Sequence, residues 1–245
     1  MSARIYFLYA ILLVWGSSCT KVLSVIKTHP NSSLTVVNGV DGSSSLLTTF
    51  SPDSAVYTFS TSTPQVGYGS SSEYSVLSGT TPVIIYQSSD TVTPLFKGQF
   101  TLAPDGIYSL FLSGILTGQN APDTLLVMDS PPYHAVGDST VGIRFVNISP
   151  GAGTISIDLL GNAPGSEVTS LPYKGVTTFK SYPATSTTPD PSTGYVFEFR
   201  SVATDSVLYT YTYNAGNLPL FKNVSLILAG TTAGSGIQAF VVNSY

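Results

Sequence analysis

Few side chains in this sequence are equipped for chemistry. In 245 residues there are two histidines, one cysteine and 13 carboxylates. His29 and His134 lie far apart, and neither has a second His, a Cys or an acidic pair at the spacing of a zinc site. His134 falls in the Pro-rich stretch Asp129 to Asp138 and reads as a linker residue rather than a general base. Serine is abundant, yet no Gly-x-Ser-x-Gly elbow occurs. The segment Gly230 to Gly236 lacks the Gly-Lys-Ser/Thr ending and following helix of a phosphate loop, and reads as a hairpin turn. Asp41, Asp105 and Asp190 sit in turn sequences, where the side chain bonds nearby backbone N–H groups. No catalytic, metal or cofactor-binding residue is therefore expected, and no cofactor.

One enzymatic reading survives this survey. Glycoside hydrolysis needs two carboxyl groups about 5–10 Å apart, a separation only the fold can create. Asp158 and Glu198 are the acids embedded in strand-like sequence. Glu198 stands two residues from Arg200 on one strand face, which is the spacing of a solvated ion pair.

Cys19 carries a different chemistry. Arg4 precedes an apolar run of 11 residues, Ile5 to Trp15, followed by Gly16-Ser17-Ser18-Cys19. A basic start, an apolar core and small residues at a cut site make an export signal. The run is shorter than the roughly 20 residues a spanning helix takes. A cysteine placed where the small residues end is the acceptor of a bacterial lipoprotein signal, in which the thiol is acylated and the chain is cut before it. Gly16 stands where an aliphatic residue is usual. Each acyl methylene contributes about 0.8 kcal/mol, and two or more chains hold a protein on its membrane. The expected partner of Cys19 is thus a membrane. Thr20 follows it with no acidic run, pointing to the outer membrane, facing the periplasm.

Composition narrows the partners further. Cleavage before Cys19 would remove Arg4 and take the formal net charge from −4 to −5. Lys and Arg are nowhere clustered, so nucleic acid is not an expected partner. Charged residues make up 9%, against about a quarter in ordinary soluble domains; Ser, Thr, Asn and Gly supply the polarity.

The elements that must position these residues are strands. Val141, Ile143 and Phe145 alternate with Gly142, Arg144 and Val146, and Tyr195, Phe197 and Phe199 alternate with Val196, Glu198 and Arg200. Ile155, Ile157 and Leu159 repeat the pattern, as do Tyr209, Tyr211 and Tyr213. Period two is the mark of half-buried strands. Turn sequences such as Asn38-Gly39, Asp105-Gly106 and Gly161-Asn162 punctuate them, as in a sandwich or barrel.

Weak internal echoes suggest two units. Pro94-Leu-Phe-Lys97 recurs at Pro219–Lys222, Ser109–Gly114 at Ser225–Gly230, and Val37-Asn38 at Val146-Asn147. The expected organisation is a signal peptide at 1–18, a lipidated tether at 19–33, a first domain at 34–129, a linker at 130–139 and a second domain at 140–245.

Several stretches resemble the domain-of-unknown-function 4397 family of lipoproteins in Bacteroidota. They include Leu34–Asn38, Tyr74–Gly79, Ile107–Gly114, Asp123–Leu126, Asp138–Pro150, Leu171–Lys174 and Phe197–Arg200. The most specific piece is Arg144-Phe-Val-Asn-Ile-Ser-Pro150. The resemblance implies tandem immunoglobulin-like β-sandwiches, supports a lipoprotein and implies no activity. The expected fold class is all-β, two such sandwiches after a cleaved signal.

The 15 tyrosines are the remaining functional feature. Exposed tyrosines offer apolar area with a polar tip, suited to sugars or protein partners. Tyr209, Tyr211 and Tyr213 form one stripe and are the candidate binding surface, with Tyr68, Tyr74 and Tyr86 less ordered. The expectation is a non-catalytic envelope lipoprotein that binds a protein or glycan or serves as a spacer. A glycan hydrolase built on carboxylates is the alternative.

Overall fold

The computed structural model describes residues 30–51, 62–116, 121–135, 137–185, 194–214, 222–232, 234 and 236–244. Among them every regular element is a strand. Four sheets stack into two sandwiches. In the first, β4 (Ser71–Leu77), β1 (Asn31–Asp41), β7 (Ile107–Ile115) and β8 (Asp123–Met128) face β3 (Gln65–Val66), β2 (Leu46–Thr49), β5 (Gly79–Gln87) and β6 (Phe96–Leu102), each sheet in that order. The second has β12 (Gly175–Val176), β9 (Thr140–Asn147), β16 (Asn223–Ala229) and β17 (Gln238–Asn243) in one sheet, with β13 (Lys180–Pro183) also on β9. Its facing sheet runs β11 (Val168–Leu171), β10 (Ile155–Leu159), β14 (Tyr195–Ser201), β15 (Val207–Tyr213). The chain is thus all-β, two immunoglobulin-like sandwiches in tandem.

The two share one topology. In each, the first strand lies inside its sheet and runs parallel to the penultimate strand, β1 with β7 and β9 with β16. Asn38 and Asn147 show the repeat in atomic detail. Asn38 Nδ2 donates to Val66 O at 3.0 Å while its Oδ1 accepts from Val40 N. Asn147 Nδ2 donates to Leu171 O at 3.1 Å while its Oδ1 accepts from Ser149 N. Both buried amides tie a central strand to the short strand opposite, as buried polar groups must be tied. The Val-Asn echo and the Ser109–Ser225 echo therefore reflect a true repeat. The Pro-Leu-Phe-Lys echo does not: Phe96 and Lys97 open β6, whereas Lys222 leads into β16, the counterpart of β7. Residues 219–221 lie outside the described set.

Each sandwich has its own core. Leu34, Val36, Leu46, Ile85, Leu110 and Leu112 fill the first, and Ile143, Phe145, Ile157, Phe197, Phe199 and Leu226 the second. A third cluster lies between them. Val37 and Phe111 pack against Val146, Ile148, Ile227 and Ala229, joining the two inner sheets face to face. Each fully buried aliphatic or aromatic side chain adds about 1.5–3 kcal/mol. This layer corrects the reading of β9 as half-buried. Seven of its eight residues are buried, Arg144 included, because the face opposite its core meets the first sandwich instead of water.

Gly39 shows how close that meeting is. A Cβ built there would stand 2.5 Å from Ile148 Cδ1. The segment before β9 is also fastened down, with Asn223 Nδ2 donating to Pro132 O at 2.9 Å. At the other end, Asn31 to Ser33 belong to β1, where they pair with Leu77 to Ser75.

Candidate functional site

Cys19 lies outside the described residues. The tyrosine stripe lies inside them, with Tyr213 buried and Tyr209 and Tyr211 half-buried. Tyr209, Tyr211 and Tyr213 stand opposite Phe199, Phe197 and Tyr195 across the β14–β15 ladder. Tyr213 is buried, and Tyr209 and Tyr211 pack against the second core. Burial pushes the Tyr211 and Tyr213 hydroxyls above the usual tyrosine range. The stripe closes the edge of a core because β15 is the last strand of its sheet; Thr210 and Thr212 take the solvent face.

The two strand-borne acids do come together. Asp158 and Glu198 are direct cross-strand partners, and Arg200 engages both, through Nε to Asp158 Oδ2 at 2.9 Å and Nη2 to Glu198 Oε2 at 2.8 Å. Gly165 N also donates to Asp158 Oδ1. A hydrolase pair needs one carboxyl free to give a proton and the other free to act on sugar or water. Here one guanidinium holds both. Glu198 raises the Arg200 pKa further above its ordinary value.

His134 is equally committed. Its Nδ1 faces Asp138 Oδ2 at 3.0 Å and its Nε2 faces Asn223 Oδ1 at 3.1 Å. Because Asn223 donates its Nδ2 to Pro132 O, Oδ1 is the atom turned to the ring. Both ring nitrogens are thus already engaged by neighbouring side chains of the chain itself. Among the described residues no three His, Cys, Asp or Glu side chains come together as a metal site. No helix among them is long and apolar enough to cross a membrane.

The family-like strings serve the seam between the sandwiches. Arg144 donates to Asp129 Oδ1 at 2.5 Å, to Ser109 Oγ at 3.1 Å and to Ser225 Oγ at 2.7 Å. Phe179 lies over its guanidinium at 4.9 Å. At the rim, Tyr173 Oη and Lys174 Nζ donate to the carboxylate of Asp123, at 2.8 and 2.9 Å. These polar residues fasten one sandwich to the other.

A pocket with an aromatic wall opens on the first sandwich. Phe50 follows β2 and Tyr74 lies on β4, at the edge where the two sheets of the first sandwich part. Their rings meet edge to face, with centroids 5.2 Å apart. A pocket of about 470 Å³ opens beside them, lined also by Thr48, Thr49, Ser51, Ser62, Thr63 and Pro64. Two hydroxyls of lining residues, Thr48 Oγ1 and Tyr74 Oη, are buried without a hydrogen-bond partner among the described residues. A buried hydroxyl left unpaired costs about 1–3 kcal/mol.

Sequence patterning reaches Tyr74 only as one tyrosine among several and misses Phe50 and Thr48. The pocket joins residues from different sheets, and no spacing along the chain records that. Of the others, Tyr86 packs with Leu47 and Ile84. Tyr68 is packed near Phe240 and Gly230 at the seam, where burial and the nearby Asp41 push its hydroxyl up to about 12.

A family model described as "Domain of unknown function (DUF4397)" matches residues 32–158. That stretch spans the first sandwich and continues through β9 and β10 of the second, so it includes Ser109, Asp129 and Arg144 of the seam. No curated protein matches the chain. Among solved structures, a family-26 carbohydrate-binding module from Eubacterium rectale in complex with maltoheptaose is 9% identical, over 88% of this chain and 97% of that one, with a TM-score of 0.24. A protein from Bacteroides ovatus described as a candidate adhesin is 13% identical, over 88% and 95%, with a TM-score of 0.19. At such scores neither likeness carries a topology across, and what those proteins bind stays with them.

Proposed function

This chain belongs to the DUF4397 family, and from its N-terminal sequence together with the geometry of its sandwiches we propose that it is a non-catalytic binding lipoprotein of the cell envelope. Its two sandwiches are held by lipid at Cys19 and take a hydroxylated ring, such as a sugar residue of a glycan, at the Phe50–Tyr74 pocket. The observation that carries this reading is the pairing of an aromatic wall with two buried, unpartnered hydroxyls. Aromatic faces pack against the C–H face of a sugar, and hydroxyls answer its O–H groups. Hydrolysis is less well supported, since Arg200 engages both strand acids and His134 has no free nitrogen.

Two experiments test the reading. The soluble Cys19→Ser protein should retain at least one saccharide from a panel of envelope and storage oligosaccharides in an equilibrium screen; retention of none would sink the binding role. In cells, the same substitution should release the protein from membranes and stop incorporation of labelled fatty acid. Unchanged membrane association with continued labelling would end the lipid-anchor reading.

A further inference from the structure

The seam is built from equivalent positions of the two sandwiches. On the parallel pairs, Val37 lies beside Phe111 and Val146 beside Ile227, and all four enter the seam cluster. Two residues back along each pair, on the same face, Thr35 lies beside Ser109 and Arg144 beside Ser225. Thr35 is therefore the counterpart of Arg144. Their surroundings correspond too. Asp129 N donates to Ile107 O and Ser244 N to Asn223 O, which puts Asp129 and Ser244 in matching places just past β8 and β17. Phe179, which covers Arg144, precedes Lys180, the partner of Ile143. Glu73 holds the corresponding edge position, as the partner of Thr35 on β4.

One of these two matching ends is filled from within by the Arg144 guanidinium. The other has a short threonine, and beside it is a pocket of about 270 Å³ lined by Thr35, Ser71, Glu73, Lys222 and Asn243. The depression continues past Glu73 toward Ser33, Ser75 and Asp105. Its two walls come from different sandwiches, and β4 is the last strand of its sheet.

We infer that this pocket receives an arginine side chain presented by a partner polypeptide, its guanidinium lying beside Thr35, at the end of the seam whose own strand carries no arginine. The lining chemistry fits a planar cation with five N–H donors. The Glu73 carboxylate, which also accepts from Ser33 Oγ at 2.7 Å, supplies the opposite charge from the strand edge, since Ser244 and not an acid stands at the place matching Asp129. The hydroxyls of Thr35 and Ser71 and the amide oxygen of Asn243 accept the remaining donors. The open edge of β4 lies alongside for the partner's extended backbone. Lys222 is the one repulsive element, and it keeps the affinity moderate.

The test uses the full mature chain carrying Cys19→Ser and two blocked tripeptides, Gly-Arg-Gly and its neutral isostere Gly-citrulline-Gly, followed by amide NMR. The arginine peptide should shift Thr35, Ser71 and Asn243, and the citrulline peptide should bind about tenfold or more weakly, the scale of one charged hydrogen bond. Glu73→Gln, at an exposed position, should weaken the arginine peptide by about the same factor. Lys222→Gln should strengthen it several-fold. Equal binding of the two peptides, unchanged affinity in Glu73→Gln, or no shift of these amides at millimolar peptide would overturn the inference. The pocket shares no residue with the Phe50–Tyr74 site, so either can fail without the other.

Discussion

Arg144 on the second sandwich and Asp129 at the end of the first form an ion pair at 2.5 Å with neither side chain more than 3% exposed. Ser109 Oγ donates to the other carboxylate oxygen at 2.6 Å, and Ser225 Oγ in turn contacts Ser244 Oγ at 2.7 Å. The pair sits beside the apolar seam cluster, so ionic and apolar contacts together make the two sandwiches one body.

Removing one partner should be far worse than replacing both. Asp129→Ala leaves a buried guanidinium without its counter-charge and should cost about 3–5 kcal/mol. Replacing Arg144 with Met and Asp129 with Leu together should be neutral or stabilising by about 1–4 kcal/mol. Urea unfolding midpoints measure both. Equal losses in the single and double variants would show that the pair does not act as a unit.

Gly39 should tolerate a side chain poorly, since a Cβ there would stand 2.5 Å from Ile148 Cδ1 and 3.0 Å from Leu112 O. Gly39→Ala forces Ile148 to move and should cost about 1–3 kcal/mol, the usual cost of overpacking. Shortening Ile148 to Ala in the same protein should recover much of that loss, a coupling that a double-mutant cycle reads directly. Additive effects would mean that the sheets can part there without strain.

Much of this fold is legible in the sequence, and the misreadings share a cause. The period-two strands and the Val-Asn repeat can be seen along the chain, because each depends on neighbours in sequence. Arg144 in an alternating strand reads as solvent-facing, because nothing local records that a second sandwich covers that face. The packing of the tyrosine stripe against the second core is hidden in the same way, since an edge strand closing a core looks the same in sequence as one opening to solvent. The pocket at Phe50 and Tyr74 depends wholly on pairing between distant strands.

Tyr74→Phe separates binding from stability. Deleting a hydroxyl that is buried without a partner should leave the fold unchanged or more stable by about 1 kcal/mol, because the desolvation penalty goes with it. The same change should weaken saccharide binding. Thermal unfolding and titration of one protein sample give both numbers, and a loss of stability would mean that the hydroxyl is partnered.

Acid should loosen the rim of the seam. The hydrogen bonds from Lys174 and then Tyr173 hold the Asp123 carboxyl below the usual aspartate value. A carboxyl depressed in the folded state adds stability above its unfolded pKa of about 3.9 and loses it as pH falls through the folded value. Unfolding free energy should therefore drop below about pH 4, and Asp123→Asn should flatten that slope. An identical acid slope in the variant would exclude Asp123 as its source. At the alkaline end, Tyr68 should ionise only near pH 12, visible as late absorbance change near the tyrosinate band.

On the proposed function, the Phe50–Tyr74 pocket is where a ligand is held. Its most direct test is NMR observation of the Phe50 and Tyr74 ring resonances while a retained saccharide is titrated in. Both rings should shift with one common dissociation constant, and Phe50→Ala should abolish the effect while the fold is preserved. A saccharide that binds while both rings stay unmoved, or binds Phe50→Ala as tightly as the parent, would contradict it.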